Sequence, residues 1–304
     1  MTQNQASVKI KYFAQLVALS ALWGASFLLI RVASPLLGPN VLAALRIGMA
    51  TLTLAVLIRA MRHQWPLKHW RELAVLGALS VALPFILFAW AALQLPAGYS
   101  ALLNSTAVVF GIFSAAWFKE DTLTVRKLLG CVSGFAGVAL IVGLGPVKLT
   151  PQVLLAALAC ILASACYGIS TPLMKRAITR MQPLEIAAGI HGISMVFLLP
   201  GAVWSWPQAH FTVGALAAVA LMGVVTSGLA YWMHIRILAH VTPVAAMSPT
   251  FMIPVFGVTW GHIFLGEQLS SGIYAGGALV LLATGLITGF NPLQKWLNAA
   301  SVKP

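Results

Sequence analysis

The chain has 304 residues, of which 60% are hydrophobic and only 8% charged, whereas an ordinary soluble domain carries roughly 25% charged residues. That composition excludes a water-soluble globule, because there is too little polar surface to cover one, and lipid must solvate most of the chain. Lys and Arg number 18 against 5 Asp and Glu, a net charge of +13, but the basic residues fall between apolar runs, as the positive-inside rule expects, and form no patch for nucleic acid.

Residues 1–11 are polar and include Lys9 and Lys11. The apolar run that follows is longer than the ~7–15 residues of a signal-peptide core, so it reads as a first membrane span. Successive runs predict helices over 12–33, 40–58, 73–94, 98–118, 125–144, 152–174, 184–204, 212–235, 244–265 and 271–290. Each is near the ~20 residues that cross a bilayer core. Pro39, Pro96, Pro151, Pro183 and Pro243 stand at helix starts, where a missing N–H costs little. Asn291-Pro292 closes the last run. Cys131, Cys160 and Cys166 lie in apolar runs without redox or metal spacing and read as small packing residues.

The chain repeats itself. The stretches Pro96 to Glu120 and Pro243 to Glu267 have equal length, and each runs from a proline through an apolar helix to a glutamate. Upstream, Gly24, Ser26, Pro39, Ala43, Ala44 and Gly48 recur in order as Gly168, Ser170, Pro183, Ala187, Ala188 and Gly192, with Trp23 answered by Tyr167. Repeats of this kind in an apolar chain point to a transporter built of two halves, here 1–147 and 148–304. Ten spans divide into five and five, and an odd number of crossings makes the second half enter from the opposite face. The expected fold is an all-α membrane protein with ten transmembrane helices in two inverted five-helix repeats. All of the 18 basic residues except Arg31, Arg46 and Lys148 then fall on one side, which places both termini in the cytoplasm.

The chain resembles EamA-type members of the drug/metabolite transporter superfamily. The resemblance is carried by Leu22-Trp23-Gly24-Ala25-Ser26-Phe27, by Ala44-Leu45-Arg46, by Pro254-Val255-Phe256 and by Gly266-Glu267, in order across essentially the whole chain. It implies a ten-helix exporter of small metabolites, often amino acids, with a central cavity between two inverted bundles. Two positions depart from the family pattern. Ala107 stands where proline is frequent, which leaves span four without its usual helix breaker, and Lys119 stands before Glu120 where glycine is usual.

The five acids, Glu72, Glu120, Asp121, Glu185 and Glu267, all lie at helix ends or in loops. No span carries a mid-membrane carboxylate, the common device for proton relays and cation sites. A neutral or zwitterionic substrate is therefore expected, moved as a uniport or exchange unless a histidine carries protons. His234 is the best placed for that role, on one helical stripe with Ser227 and Tyr231. Arg46 lies roughly 10 Å into span two at ~1.5 Å per residue. It is either a partner for a substrate carboxylate or a residue that snorkels or ties helices together. Trp23 and Ser26 on span one, their repeat partners Tyr167 and Ser170 with Ser164 and Thr171 on span six, Trp90 and Gln94 ending span three, and Asn104 in span four complete the candidate binding set. Trp65, Trp70, Trp204 and Trp206 flank helices and suit an interfacial belt. Glu120 and Glu267 are read as caps for the helices that follow them.

The Gly130-x-x-x-Gly134 and Gly276-Gly277 motifs make the fifth helix of each half a packing or dimer helix. The reading is an inner-membrane secondary transporter exporting a small metabolite by alternating access, with a small-molecule substrate and the bilayer as partners. No catalytic residue, cofactor, metal or nucleic acid is expected. The alternatives are an exporter of amphipathic or cationic drug-like compounds, an intramembrane enzyme, which needs a nucleophile and base, and a channel, which needs a polar ring on one axis.

Overall fold

The computed structural model describes residues 8–95, 97–142, 150–266 and 272–289. Among them every regular element is helical: α1 (Ile10–Ala60), α2 (Leu67–Ala91), α3 (Tyr99–Trp117), α4 (Val125–Val142), α5 (Pro151–Ala177), α6 (Pro183–Gln208), α7 (Val213–Leu238), α8 (Pro243–Phe264) and α9 (Ile273–Thr288). The first eight are long and apolar enough to cross a membrane, and α9 is an apolar helix of smaller length. Leu129, Val132, Leu158, Val196 and Val203 point outward uncovered, an apolar girdle too extensive for water. Trp65, Trp70, Trp204 and Trp206 are exposed near helix ends, where indole rings meet the membrane interface. The three cysteines are buried and free.

Helix α1 is a continuous run of 51 residues, far longer than a bilayer core at ~1.5 Å per residue. It turns back at Gly38, whose φ of 72 and ψ of 158 are open only to a residue without Cβ. Pro39 then restarts the helix with a preset φ. The sequence predicts a break over 34–39; one glycine suffices instead, and Pro35 stays helical. Residues 39–60 lie along α6, with Asn40 Nδ2 donating to Ser205 Oγ at 2.9 Å and His63 meeting Glu185 at 3.3 Å at the other end. Residues 10–37 lie along α7, with His210 N donating to Leu36 O at 2.8 Å and Tyr12 stacked on His240 at 4.9 Å. The two arms of α1 therefore cross the bundle in opposite directions.

The two halves interlock reciprocally. A Cβ at Gly24 would lie 2.8 Å from Phe256 Cβ on α8, and one at its repeat partner Gly168 would lie 2.8 Å from Gly111 N on α3. A Cβ at Gly77 would lie 3.1 Å from Ile190 O on α6, and one at Gly223 would lie 2.8 Å from Arg46 O on α1. Backbones approach this closely only across missing side chains. Away from the centre, α4 packs on α9: a Cβ at Gly137 would lie 2.7 Å from Gly276 O, and one at Gly130 would lie 2.8 Å from Ile287. Gly134 faces the ring of Phe251, while Gly277 has nothing within 4 Å. The glycine motif of α4 is thus used inside the chain.

At the end where the basic residues gather, carboxylates of one half meet bases of the other. Arg176 Nε lies 2.8 Å from Glu120 Oε1, Arg180 Nη1 lies 3.2 Å from Glu72 Oε2 and His63 faces Glu185. Lys175 Nζ donates to Leu238 O at 2.6 Å and Val241 O at 3.0 Å, closing the free carbonyls at the end of α7. Glu120 therefore joins the halves and does not cap the helix after it, because Arg176 reaches it first. Glu267 lies outside the described residues.

Helix α8 ends at Gly266 with φ 66, and α3 ends at Lys119 with φ 59. The same left-handed turn is made in both halves, once by a residue with a Cβ, which costs about 1–2 kcal/mol there. Lys119→Gly is expected to raise the thermal stability of the detergent-solubilised protein by up to about 1 kcal/mol after the extra chain entropy of glycine. Gly266→Ala is expected to lower it. A loss of stability in Lys119→Gly would mean that the lysine side chain outweighs its backbone strain.

Candidate functional site

The halves enclose a cavity of about 140 Å³, lined by both arms of α1 and by α2, α3, α5, α7 and α8. Among the described residues α4, α6 and α9 contribute nothing to it. Of the candidate residues, Trp23, Ser26, Arg46, Asn104, Tyr167, Ser170, Thr171, Tyr231 and His234 line this space. Repeat partners from both halves line it together: Trp23 and Tyr167, Ser26 and Ser170, Phe27 and Thr171, Ile30 and Met174.

Trp90 is not brought in. It is 37% exposed on the outer surface, and Gln94 is exposed beside it. The cavity face of α2 carries Ser80, Phe85 and Phe88 instead, and Trp90 lies roughly 200° around the helix from Phe88. A π-helical segment at Ala78–Ala82 shifts the register of α2. A second one at Met222–Leu229 does the same in α7, at the matching place in the second half. Such insertions gather at functional sites and leave no mark on apolar periodicity. Ser164 is also outside the cavity; its hydroxyl donates to Leu103 O at 3.0 Å and ties α5 to α3.

Arg46 is the one basic residue of the lining and is 7% exposed. Its Nε donates to Ser227 Oγ at 2.6 Å and its Nη2 to Thr226 Oγ1 at 3.3 Å. The guanidinium lies 4.3 Å over the ring of Phe85. Thr226 is also a hub: its hydroxyl accepts from Ser26 Oγ at 2.8 Å, and its carbonyl accepts from Trp23 Nε1 at 3.0 Å. The π-helical turn frees that carbonyl from the regular ladder. Ser227 thus serves Arg46 and does not orient His234, as the one-stripe reading of α7 expects. His234 packs against Trp23 at 5.3 Å and Tyr231 at 6.2 Å, and its Nδ1 has no hydrogen-bond partner. His191 is buried behind Tyr231, with Nδ1 donating to Ala187 O at 2.8 Å.

Asn104 sits beside an interruption of α3 at Thr106. No proline makes this break. The hydroxyls of Ser105 and Thr106 donate at 2.6 Å to Leu102 O and Leu103 O, competing for carbonyls the helix would use. The Asn104 carbonyl oxygen is left unpartnered. Helix α8 is interrupted similarly at Met247 and Ser248, and Met247 lines the cavity. Phe27, Phe85, Phe88 and Thr226 were not among the sequence candidates. Phe27 was legible as the repeat partner of Thr171; the other three depend on the π-helical turns.

The profile of the EamA-like transporter family matches residues 11–143 and 154–289. The chain belongs to this family. It is 28% identical over 287 residues to the uncharacterized transporter YvbV of Bacillus subtilis (strain 168), covering 92% of each chain. It is 24% identical over 270 residues to a probable terminal-alkyne amino-acid exporter of Streptantibioticus cattleyicolor, covering 87% of this chain and 89% of that one. A protein of known crystal structure superimposes with a TM-score of 0.73 at 15% identity over 89% of this chain and 98% of its own, a likeness of fold. The EamA-like membership and the eight apolar helices make this a multi-pass membrane protein.

The contact between Arg46 and α7 is open to a double-mutant cycle. Arg46→Met and Ser227→Ala are each expected to destabilise the detergent-solubilised protein, and the double variant to lose about 0.5–2 kcal/mol less than their sum. Additivity in thermal unfolding would show that the 2.6 Å contact contributes no stability.

Proposed function

We propose that this chain is a secondary transporter of the inner membrane that exports a small metabolite, an amino acid or a similar solute, by alternating access. The observation that carries the reading is the cavity, which lies at the meeting of the halves and is walled by repeat partners from both. Its walls are aromatic and apolar, with a few hydroxyl and amide groups, the chemistry that holds a small amphipathic solute. The relative named as a probable amino-acid exporter supports the same substrate class.

The proposed architecture is ten transmembrane helices in two inverted repeats, 1–147 and 148–304, with both termini in the cytoplasm. Three observations support it. The family profile matches twice along the chain. Contacts at Gly24 and Gly168, and at Gly77 and Gly223, exchange partners between the halves as a two-fold axis requires. The fold-back at Gly38 divides α1 into two arms, which favours five crossings in the first half. In the cycle, the basic end of the bundle opens when the pairs Arg176–Glu120, Arg180–Glu72 and His63–Glu185 separate.

Two measurements test this reading. Cysteines introduced at Thr150 and Gln208 are expected to be labelled from the periplasm, and those at Gln64 and Thr179 only after permeabilisation. Labelling of all four from one side excludes the inverted arrangement. In sealed proteoliposomes, the wild-type protein is expected to carry amino acids or related solutes down an imposed gradient. Trp23→Ala, expressed and inserted to the same level, is expected to lose at least about tenfold of that flux, a loss of ~1.4 kcal/mol. Wild-type flux in this variant places the solute path elsewhere.

A further inference from the structure

The cavity carries one fixed charge and nothing to balance it. Arg46 projects into it, and among the described residues no Asp or Glu lines the space. The described carboxylates are all placed elsewhere: Glu72, Glu120 and Glu185 pair with Arg180, Arg176 and His63, and Asp121 pairs with Lys127 at 2.5 Å. A guanidinium presents five N–H donors. Arg46 gives Nε and one Nη2 hydrogen to Ser227 and Thr226, and its Nη1 amino group makes no hydrogen bond among the described residues. A bound anion at that group would complete its hydrogen bonds and balance its charge.

The repeat sharpens the point. The matching position in the second half is Ile190, so the charge is peculiar to one half. The guanidinium is also held in place. Phe85 lies under its face at 4.3 Å, and α7 fixes one edge through two hydroxyls. What remains open is the outer edge of a planar fork, the geometry that binds a carboxylate through two parallel hydrogen bonds. Around it stand Trp23, Phe27, Phe88 and Tyr167, which suit an apolar or aromatic body and supply no counter-charge for an ammonium group.

We infer that Arg46 is the anchor for a carboxylate, and that the cavity prefers a small net-anionic monocarboxylate with an apolar body over the matching amide, zwitterion or cation. This rests on the transport reading above but departs from its amino-acid class: among small metabolites it selects acids that lack a positive group. Ser227, Thr226 and Phe85 are positioning residues that hold the fork open toward the solute.

The test uses the purified full-length protein in detergent, titrated calorimetrically at pH 7 with 3-phenylpropanoate, 3-phenylpropanamide, L-phenylalanine and 2-phenylethylamine. The propanoate is expected to bind at least about tenfold more tightly than each of the others. Arg46→Gln should reduce it to the level of the amide while leaving the amide unchanged. Arg46→Lys, which keeps the charge but loses the fork, should recover only part of the preference. The comparison of acid with amide in the wild-type protein stands even where a variant fails to fold. Equal affinity for acid and amide, with Trp23→Ala weakening both, overturns the anion preference and leaves the cavity as the binding site. Affinities that Trp23→Ala does not change overturn the cavity itself, and with it the transport reading. Binding of none of the four probes by folded protein overturns the inference as well.

Discussion

A guanidinium inside a bundle solvated by lipid has to find its partners within that bundle, and Arg46 takes its hydrogen-bond partners from a single helix. Several features of the second half follow from this. Gly223 lets α7 approach until its missing Cβ would stand 2.8 Å from Arg46 O. One turn on, Thr226 and Ser227 bring their hydroxyls to the guanidinium. Both residues lie within the π-helical segment Met222–Leu229. The carbonyl released there receives Trp23. A charge, an aromatic wall and a helix distortion are thus parts of one arrangement, and the cavity lies on its open side.

The contacts between the halves differ in kind from centre to end. At the centre they are backbone against backbone, through Gly24, Gly168, Gly77 and Gly223, and leave no room for adjustment. At the basic end they are ion pairs on partly exposed side chains. Exposed pairs contribute roughly 0–1 kcal/mol each, so several can part together without a large barrier. A bundle that must open at an end while keeping its axis is served by this division. For the transport cycle proposed above, close packing is the pivot and the weak pairs between the halves are the seam.

Much of the fold was legible because membrane helices announce themselves. Apolar length, proline starts and the placement of lysine and arginine located the helices, and the duplication paired Trp23 with Tyr167 and Ser26 with Ser170 before any coordinates. What the pattern did not carry was local backbone geometry. The one-residue turn at Gly38, the interruption at Thr106 without a proline, and the π-helical turns in α2 and α7 all leave composition and periodicity unchanged. Each moved side chains. Trp90 left the expected face of α2, Phe85 and Phe88 took it, and Ser227 was drawn from His234 to Arg46. Lys119 shows the converse. Its departure from glycine was visible in the sequence, and the backbone keeps the left-handed turn regardless.

The paired lining raises a question of orientation. With Trp23 and Tyr167, and Ser26 and Ser170, both contributed to the lining, these repeated walls alone give an apolar body little reason to prefer one way round. A single charge removes that degeneracy. Arg46 has Ile190 as its counterpart, so a solute bearing one polar head has one favoured pose in which the head is hydrogen-bonded. In the reverse pose the head loses that contact, and a polar group left without a partner costs roughly 1–3 kcal/mol. Asn104 and His234 stand on other walls of the cavity, with Oδ1 and Nδ1 buried and without a partner. An inherited symmetry therefore supplies the shape of the cavity, and one residue that breaks it supplies the direction in which a solute sits.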